Sequence, residues 1–176
     1  MSTLSNIIGG SSKDRVVALN GPVNSGRSRV LLALAKEELA LGKKVGVVIT
    51  DVQPEWVGKS FSDVPNVKEC FYLHDMSPRT RTVNAIRYMF SLGVDYLFFD
   101  KEISWQDLIQ FDDELKSGKT IVYTSQLKRS QSGITSIEDL PISATQHTCL
   151  ISKNDTDFIL EWEFGDTVFN IEKTVA

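Results

Sequence analysis

The chain lacks the features of membrane-spanning, secreted and nucleic-acid-coating proteins. None of its apolar runs reaches the roughly 18 residues that a membrane-spanning helix needs. Its Ser/Gly-rich start has neither the basic nor the apolar region of a signal peptide. The 19 Lys and Arg residues are outnumbered by 23 Asp and Glu, and the net charge is −4, whereas a surface that coats nucleic acid needs clustered positive charge. We therefore expect a cytoplasmic protein without membrane contact, whose contacts with nucleic acid are local.

Cysteine is also scarce. The two cysteines, Cys70 and Cys149, lie far apart in apolar segments and form no C-x-x-C pair. This arrangement favours reduced thiols in the core over zinc ligands or a disulfide framework.

The length and composition predict a single globular domain. With 176 residues, 41% of them hydrophobic, the chain can bury a full core. Residues 1–13 include the run Gly9-Gly10-Ser11-Ser12 and predict a flexible N-terminal leader. The single domain is then expected over residues 14–176.

Strands and helices are predicted to alternate along this domain. Predicted strands occupy residues 15–19, 45–49, 70–73, 96–100, 121–126 and 149–152. The second of them contains no polar residue, as is typical of parallel strands that are covered on both faces by helices. Apolar residues at helical spacing follow Arg27 until Gly42, follow Ser77-Pro78 until about Leu92, and follow the predicted cap Ser104 until Leu115.

The end of the domain predicts a different arrangement. Residues 158–162 and 168–171, with Gly165-Asp166 between them, indicate a C-terminal hairpin. The expected fold is therefore α/β, with a mostly parallel central sheet that is flanked by helices and ends in a β-hairpin.

One loop carries the chemistry of the sequence. Gly21-Pro22-Val23-Asn24-Ser25-Gly26-Arg27-Ser28 joins the first strand to the first long helix and has the spacing of the phosphate-binding pattern G-x-x-x-x-G-K-[ST], with arginine in place of lysine. In that pattern, backbone N–H groups surround the phosphates and the basic side chain reaches the outer phosphates. The predicted nucleotide contacts are Gly21, Asn24, Ser25, Gly26, Arg27 and Ser28. A simple turn between strand and helix is the alternative.

Two oxygen-bearing side chains predict a magnesium site. The hydroxyl of the last loop residue, Ser28, holds Mg²⁺ in the intact pattern. Asp100 follows a buried strand further along the chain, as a Mg²⁺-binding carboxylate does in P-loop proteins. ATP and Mg²⁺ are therefore the expected cofactors, unless Asp100 is simply a polar residue that ends a strand.

The order of these segments resembles that of the RecA-like P-loop ATPases, and most closely the motor domain of hexameric replicative helicases of the DnaB kind. Residues 42–51 are similar to the strand that ends on the water-activating glutamate of the family, and Asp51 takes that place. Residues 121–129 are similar to the strand that ends in S-Q-L-x-R, where Gln126 corresponds to the γ-phosphate sensor. The resemblance implies a RecA-like core, catalytic roles for Asp51, Gln126 and Arg27, and assembly with further subunits.

The chain departs from this family at three catalytic positions. Arg27 replaces lysine, and its planar guanidinium can pair with phosphate without reaching the position of the lysine ammonium. Asp51 is one methylene shorter than the glutamate of the family. Asp155 stands where the resemblance implies an arginine finger, although Lys153 lies nearby. These changes predict weak or absent hydrolysis.

Three further basic residues are candidate phosphate or nucleic-acid contacts. The resemblance implies DNA-binding loops beside the strand that precedes Lys128 and Arg129, and Lys153 belongs to the K-N-R-like stretch. A solvated charged surface is the alternative for the first two. Single-stranded DNA, a second copy of the chain or a related helicase or ATPase subunit are the expected macromolecular partners.

Two functions remain open after this comparison. The first is a compact ATPase that acts in phage-type or cellular DNA replication, recombination or packaging. The second is a catalytically inactive RecA-like module that joins or regulates a related ring. A thymidine-kinase-like loop is also present at residues 21–26, but the zinc ribbon of that family needs clustered cysteines that this sequence lacks.

Overall fold

The structure is a computed structural model that describes residues 2–50, 54–65, 67–75, 81–131 and 133–170. Among these residues, no helix has the length and apolar character needed to cross a membrane. The predictions that concern Asp51 and the helix start at Ser77-Pro78 lie outside the described residues.

Eight strands form one sheet. In chain order they are β1 (Val16–Gly21), β2 (Val45–Ile49), β3 (Phe71–Asp75), β4 (Tyr96–Phe99), β5 (Thr120–Gln126), β6 (His147–Lys153), β7 (Asp157–Trp162) and β8 (Gly165–Asn170). Their order across the sheet is β3-β2-β4-β5-β1-β6-β7-β8. The pairs from β3 to β6 are parallel, and β7 and β8 add two antiparallel pairs at one side. The predicted α/β class, with a mostly parallel sheet and a terminal hairpin, is confirmed.

Seven α-helices lie among the described residues. They are α1 (Thr3–Ile8), α2 (Arg27–Ala40), α3 (Pro54–Ser60), α4 (Val67–Cys70), α5 (Thr82–Ser91), α6 (Trp105–Leu108) and α7 (Asp112–Lys116). A 3₁₀ turn, Ile109–Phe111, joins α6 to α7. As predicted, the Ser104 hydroxyl caps α6 by accepting from the Asp107 N–H. Gly42 and Gly118 follow helices with positive φ angles, which a residue without Cβ adopts at little cost.

Two apolar layers cover the two faces of the sheet. Strand residues such as Leu19 and Val47 pack against α2 on one face. Their neighbours Ala18 and Val48 point to the other face and pack with residues of α5 to α7. Because successive strand residues alternate between faces, an uninterrupted apolar strand supplies both layers. The carboxyl ends of β1, β4 and β5 consequently meet at one edge of a sheet that is buried on both sides.

The segment for which a flexible leader was predicted contains a helix. Residues 3–8 form α1, whose cap Ser2 accepts a hydrogen bond from the Ser5 N–H. Leu4 is 1% exposed and belongs to the same apolar cluster as α2. The Thr3 N–H and hydroxyl also donate to the Glu37 carboxylate, at 3.3 and 3.1 Å. Three apolar side chains at helical spacing (Leu4, Ile7 and Ile8) thus attach the segment to the core in spite of the glycines that follow.

The terminal hairpin turns slightly earlier than predicted. The turn is at Glu163 and Phe164, and Gly165 begins β8 opposite Trp162. A Cβ at Gly165 would lie 2.8 Å from an indole carbon of Trp162, so this glycine admits the ring rather than forming the turn.

Candidate functional site

The octapeptide between β1 and α2 folds into a closed loop at the carboxyl edge of the sheet. Asn24 and Gly26 have φ angles of 62° and 90°, in the left-handed region. The Ser25 N–H donates to the Pro22 carbonyl at 3.2 Å, which closes the turn. Gly26 is the N-cap of α2, and the helix begins at Arg27.

Both glycines of the loop pattern have steric reasons to be glycine. A Cβ at Gly26 would overlap the ring of Phe158, which reaches the loop from β7. A Cβ at Gly21 would overlap the Ser25 hydroxyl. The sequence signature therefore corresponds to two tight contacts, one within the loop and one between the loop and β7.

The predicted metal ligands are in contact with each other. The Ser28 hydroxyl donates to Asp100 Oδ2 at 2.7 Å. The Thr124 hydroxyl, on β5, donates to Asp100 Oδ1 at 3.0 Å, and the Thr50 hydroxyl donates to the Asp100 carbonyl at 3.3 Å. The carboxylate is thus held by residues from α2 and β5, directly below the loop.

These oxygen atoms suit magnesium better than a softer metal. Mg²⁺ prefers hard oxygen ligands and usually keeps several waters, with one or two carboxylates and substrate phosphates as its other ligands. Within the described ranges, no group of three or more His, Cys, Asp or Glu side chains could hold a metal alone. A cation at Ser28 and Asp100 would take its remaining ligands from water and a bound phosphate.

The loop borders a cleft of about 570 Å³. Its lining comprises the last loop residues and side chains from α2, β6 and β7: Val23, Asn24, Ser25, Gly26, Arg27, Ser28, Arg29, Lys153 and Phe158. The first backbone N–H groups of any α-helix have no partner within the helix, and no side chain caps the start of α2. The cleft therefore presents backbone donors and the positive end of a helix dipole.

The charged side chains that line this cleft among the described residues are all positive. Arg27, Arg29 and Lys153 line it, and no described carboxylate does. None of the three forms an ion pair with another described residue. The Ser25 hydroxyl, in a residue only 4% exposed, has no hydrogen-bond partner in the described part of the chain. The arrangement is suited to an anion with several oxygen atoms.

Gln126 lies next to the loop but lines a different groove. It ends β5 and pairs in register with Gly21 of β1, and the following residue, Leu127, donates its N–H to the Gly21 carbonyl at 3.1 Å. Gln126 and Lys128 line a polar groove of about 250 Å³ rather than the cleft of the glycine loop. The first loop residue therefore lies beside both depressions.

Internal hydrogen bonds order the walls of this second groove. The Ser125 hydroxyl donates to Glu102 Oε1 at 3.1 Å. The Tyr123 hydroxyl donates to Gln146 Oε1 at 3.2 Å, and burial raises the pKa of Tyr123. Because these side chains already pair with one another, the groove shows no concentration of free charge comparable to that of the loop cleft.

The remaining predicted site residues lie in different places. Lys153 reaches the loop cleft from the end of β6. Arg129 begins a 3₁₀ turn, Arg129–Gln131, and its side chain is not among the described atoms. Asp155 is exposed in the turn between β6 and β7. Asp51 lies outside the described residues.

The sequence prediction missed three residues of the site. Arg29 follows the loop by one residue and was detectable only as a second arginine in the first turn of α2. Thr124 carries a hydroxyl near the end of a strand, two residues before Gln126. Phe158 gives no local signal, because its contact with Gly26 depends on how the hairpin packs.

A scan of protein-family models found none that matches this chain. A search of curated proteins likewise found no match.

Proposed function

We propose that this chain is a RecA-like P-loop domain that binds ATP with Mg²⁺ and hydrolyses it weakly or not at all. Its proposed setting is cytoplasmic DNA replication, recombination or packaging, of phage-type or cellular origin. The observation that carries the proposal is the closed glycine loop at the start of α2, with the Ser28 hydroxyl 2.7 Å from the Asp100 carboxylate.

The loop supplies the main contacts with the phosphates. Backbone N–H groups of Asn24 and Gly26 and at the start of α2 donate to phosphate oxygens, and the helix dipole favours the negative charge. The Arg27 guanidinium, at the first position of α2, pairs with phosphate as a planar fork of donors. Together these groups orient the triphosphate along the edge of the sheet.

Magnesium, when bound, would neutralise charge on the phosphate oxygens. Ser28 and Asp100 are the residues that would hold it. Thr124 positions the carboxylate by donating to its other oxygen. The proposed role of Gln126 is to sense the bound nucleotide through β5, since its backbone pairs with that of Gly21.

Weak hydrolysis is proposed because three residues differ from the catalytic residues of the family in the position or sign of their charge or in the length of their side chain. Arg27 cannot place its charge where a lysine ammonium would lie. Asp51, by the family resemblance, must orient water with a shorter side chain, and misplacement by about 1 Å can cost on the order of 10²-fold in rate. Asp155 places a negative charge where the resemblance implies an arginine.

The second candidate is a catalytically inactive module that joins or regulates a related helicase or ATPase ring. The exposed position of Asp155 in the turn between β6 and β7 favours it, because a carboxylate there cannot serve a neighbouring site as an arginine finger does. This candidate keeps the fold and the nucleotide affinity but not turnover.

One experiment tests the first proposal and separates it from the second. Calorimetry would measure ATP and ADP binding, and a phosphate-release assay would follow hydrolysis in the same preparation, with and without single-stranded DNA. Arg27→Lys is the test variant, and Arg87→Lys, on the distant helix α5, is its matched control.

Each result has a distinct meaning. Slow phosphate release that increases in Arg27→Lys, but not in Arg87→Lys, supports the ATPase and identifies Arg27 as the residue that limits hydrolysis. Binding with no release in any variant supports the inactive module. Absence of ATP and ADP binding in the wild type and in Arg27→Lys contradicts both.

A further inference from the structure

We propose that Arg29 and Lys153 complete the phosphate site within a single chain, so that one copy selects nucleoside triphosphate over diphosphate without a residue from a neighbour. The inference rests on the proposed nucleotide-binding function and adds to it the two residues that recognise the outermost phosphate. Four observations support it: the grouping of the cations, the location of the two arginines at a helix start, the unpartnered Ser25 hydroxyl, and the contact that brings Lys153 to the loop.

The grouping of cations does not follow from the composition. The chain has a net charge of −4, yet Arg27, Arg29 and Lys153 line one cleft to which no described carboxylate contributes. The two arginines are half-buried, so their mutual repulsion is less screened than on an open surface. An anion between these side chains would offset their positive charge.

The location of the arginines also opposes helix stability. Both lie in the first turn of α2, which contains no acidic residue. Cations at a helix N-terminus interact unfavourably with the helix dipole, whereas an anion there interacts favourably. Because these charges reduce the stability of the empty helix, a bound anion is the better explanation of their presence.

A second observation at the same place points to a ligand. Ser25 lines the cleft, and its hydroxyl is buried beside Gly21 without a partner among the described atoms. A buried polar group without a hydrogen bond is costly. A phosphate oxygen in the cleft would provide the missing acceptor.

Lys153 is brought to the loop by its own chain. It pairs with Phe158 across the antiparallel ladder of β6 and β7. The ring of Phe158 packs directly on Gly26, so closely that a Cβ there would overlap it. The paired strands β6 and β7 therefore both pack on the loop, through Phe158, and place Lys153 beside it. The proposed site requires no second subunit.

The number of cations favours the ligand with more charge. In this assignment, the loop N–H groups and Arg27 hold the phosphates nearest the loop. Arg29 and Lys153 add two more sources of charge-assisted hydrogen bonds. A terminal γ-phosphate is the group that a triphosphate has and a diphosphate lacks, so we assign both residues to it.

The test uses the full chain and a non-hydrolysable ATP analogue, with ADP as the comparison. Calorimetry in Mg²⁺ would measure affinity and stoichiometry, and sedimentation would give the oligomeric state at the same concentration. The variants are Arg29→Gln and Lys153→Gln. The matched control is Lys43→Gln, which removes one exposed charge just before β2, at the other edge of the sheet.

We expect one analogue per chain while the protein is monomeric, and tighter binding of the analogue than of ADP. Each test variant should lower the affinity for the analogue about tenfold, the approximate value of one charge-assisted hydrogen bond. ADP affinity should change by less than half that factor, and Lys43→Gln should bind like the wild type. Unfolding in urea would verify folding, and Arg29→Gln should be at least as stable as the wild type.

The inference and the proposed function can fail separately. If the wild type binds the analogue and both test variants match Lys43→Gln, the inference is wrong and nucleotide binding stands. If binding appears only when the chain self-associates, the single-chain assignment is overturned. If the wild type binds no nucleotide, both are overturned.

Discussion

Replacing Gly26 with alanine should destabilise the protein more than the same change at any open glycine. Gly26 combines a φ of 90° with direct contact to the Phe158 ring. The left-handed backbone alone costs an L-residue about 1–2 kcal/mol. The overlap with a ring that is 2% exposed adds the cost of overpacking, about 1–3 kcal/mol. The expected loss in the free energy of unfolding for Gly26→Ala is therefore about 2–5 kcal/mol.

Gly42 provides a matched control because it has the backbone strain without the steric contact. Its φ is 80°, and a Cβ there would meet nothing within 4 Å. Gly42→Ala should therefore lose only the strain component, about 1–2 kcal/mol. The difference between the two variants measures the contact between the loop and the hairpin.

Equilibrium unfolding in urea, followed by circular dichroism, gives both values. With a slope of about 2 kcal/mol per molar urea, Gly26→Ala should move the midpoint down by about 1–2.5 M. In a Phe158→Leu background the penalty of Gly26→Ala should fall to that of Gly42→Ala, because a smaller side chain leaves room for the methyl group. Equal losses at Gly26 and Gly42, or an unchanged penalty in that background, would refute the reasoning.

Three further changes test other parts of the structure. Leu4→Ala should lower the free energy of unfolding by about 2–5 kcal/mol, since the residue is buried, and an unchanged urea midpoint would mean that α1 does not pack on the core. Thr124→Val should cost about 1.5–3 kcal/mol through the lost bond to Asp100, measured in the same way; a cost below 0.5 kcal/mol would contradict it. Burial, followed by the charge of Lys13, lowers the pKa of His147 below its ordinary 6.5, so its contribution to stability is full above pH 6.5 and is lost as the pH falls below it. His147→Gln should flatten the stability profile as the pH falls below 6.5, and an identical slope in both proteins would exclude this role.

The central strands could be predicted from the sequence because they are apolar without interruption. Residues such as Val45 to Ile49 must be covered on both faces, and only a parallel sheet between helices does so for several strands at once. The order of strands across the sheet was not predicted. It depends on which strand each crossover reaches, and that choice is made by packing between distant segments.

The glycine loop was predictable because its requirements are local. Positive φ at Gly26 and the start of a helix at Arg27 are set by neighbouring residues. The contact between Ser28 and Asp100 followed from a simple rule, since the ends of parallel strands meet at one edge of the sheet. The distance of 2.7 Å between the Ser28 hydroxyl and Asp100 Oδ2 could not be predicted from the sequence, because it depends on how far β4 extends relative to β1.

The contributions of the hairpin and of α1 could not be obtained in this way. Phe158 acts on Gly26 only because β7 folds back antiparallel to β6, the strand next to β1. The first helix has only six residues, too few for apolar periodicity to outweigh the Gly-Ser run after it. In both cases, burial against residues that are distant in the sequence determines a structure that local residue preferences do not.

Because of the two arginines at the start of α2, added salt should have opposite effects on the protein without its proposed phosphate ligand and on the attachment of that ligand. Dissolved ions shield the arginines from each other and from the helix dipole, which relieves the empty form. The same ions compete with a phosphate ligand for those side chains and weaken its attachment. If the proposed phosphate ligand binds, it should raise the melting temperature most in dilute buffer. This gain should decrease as salt is added, because the protein without ligand becomes more stable and the ligand binds less tightly.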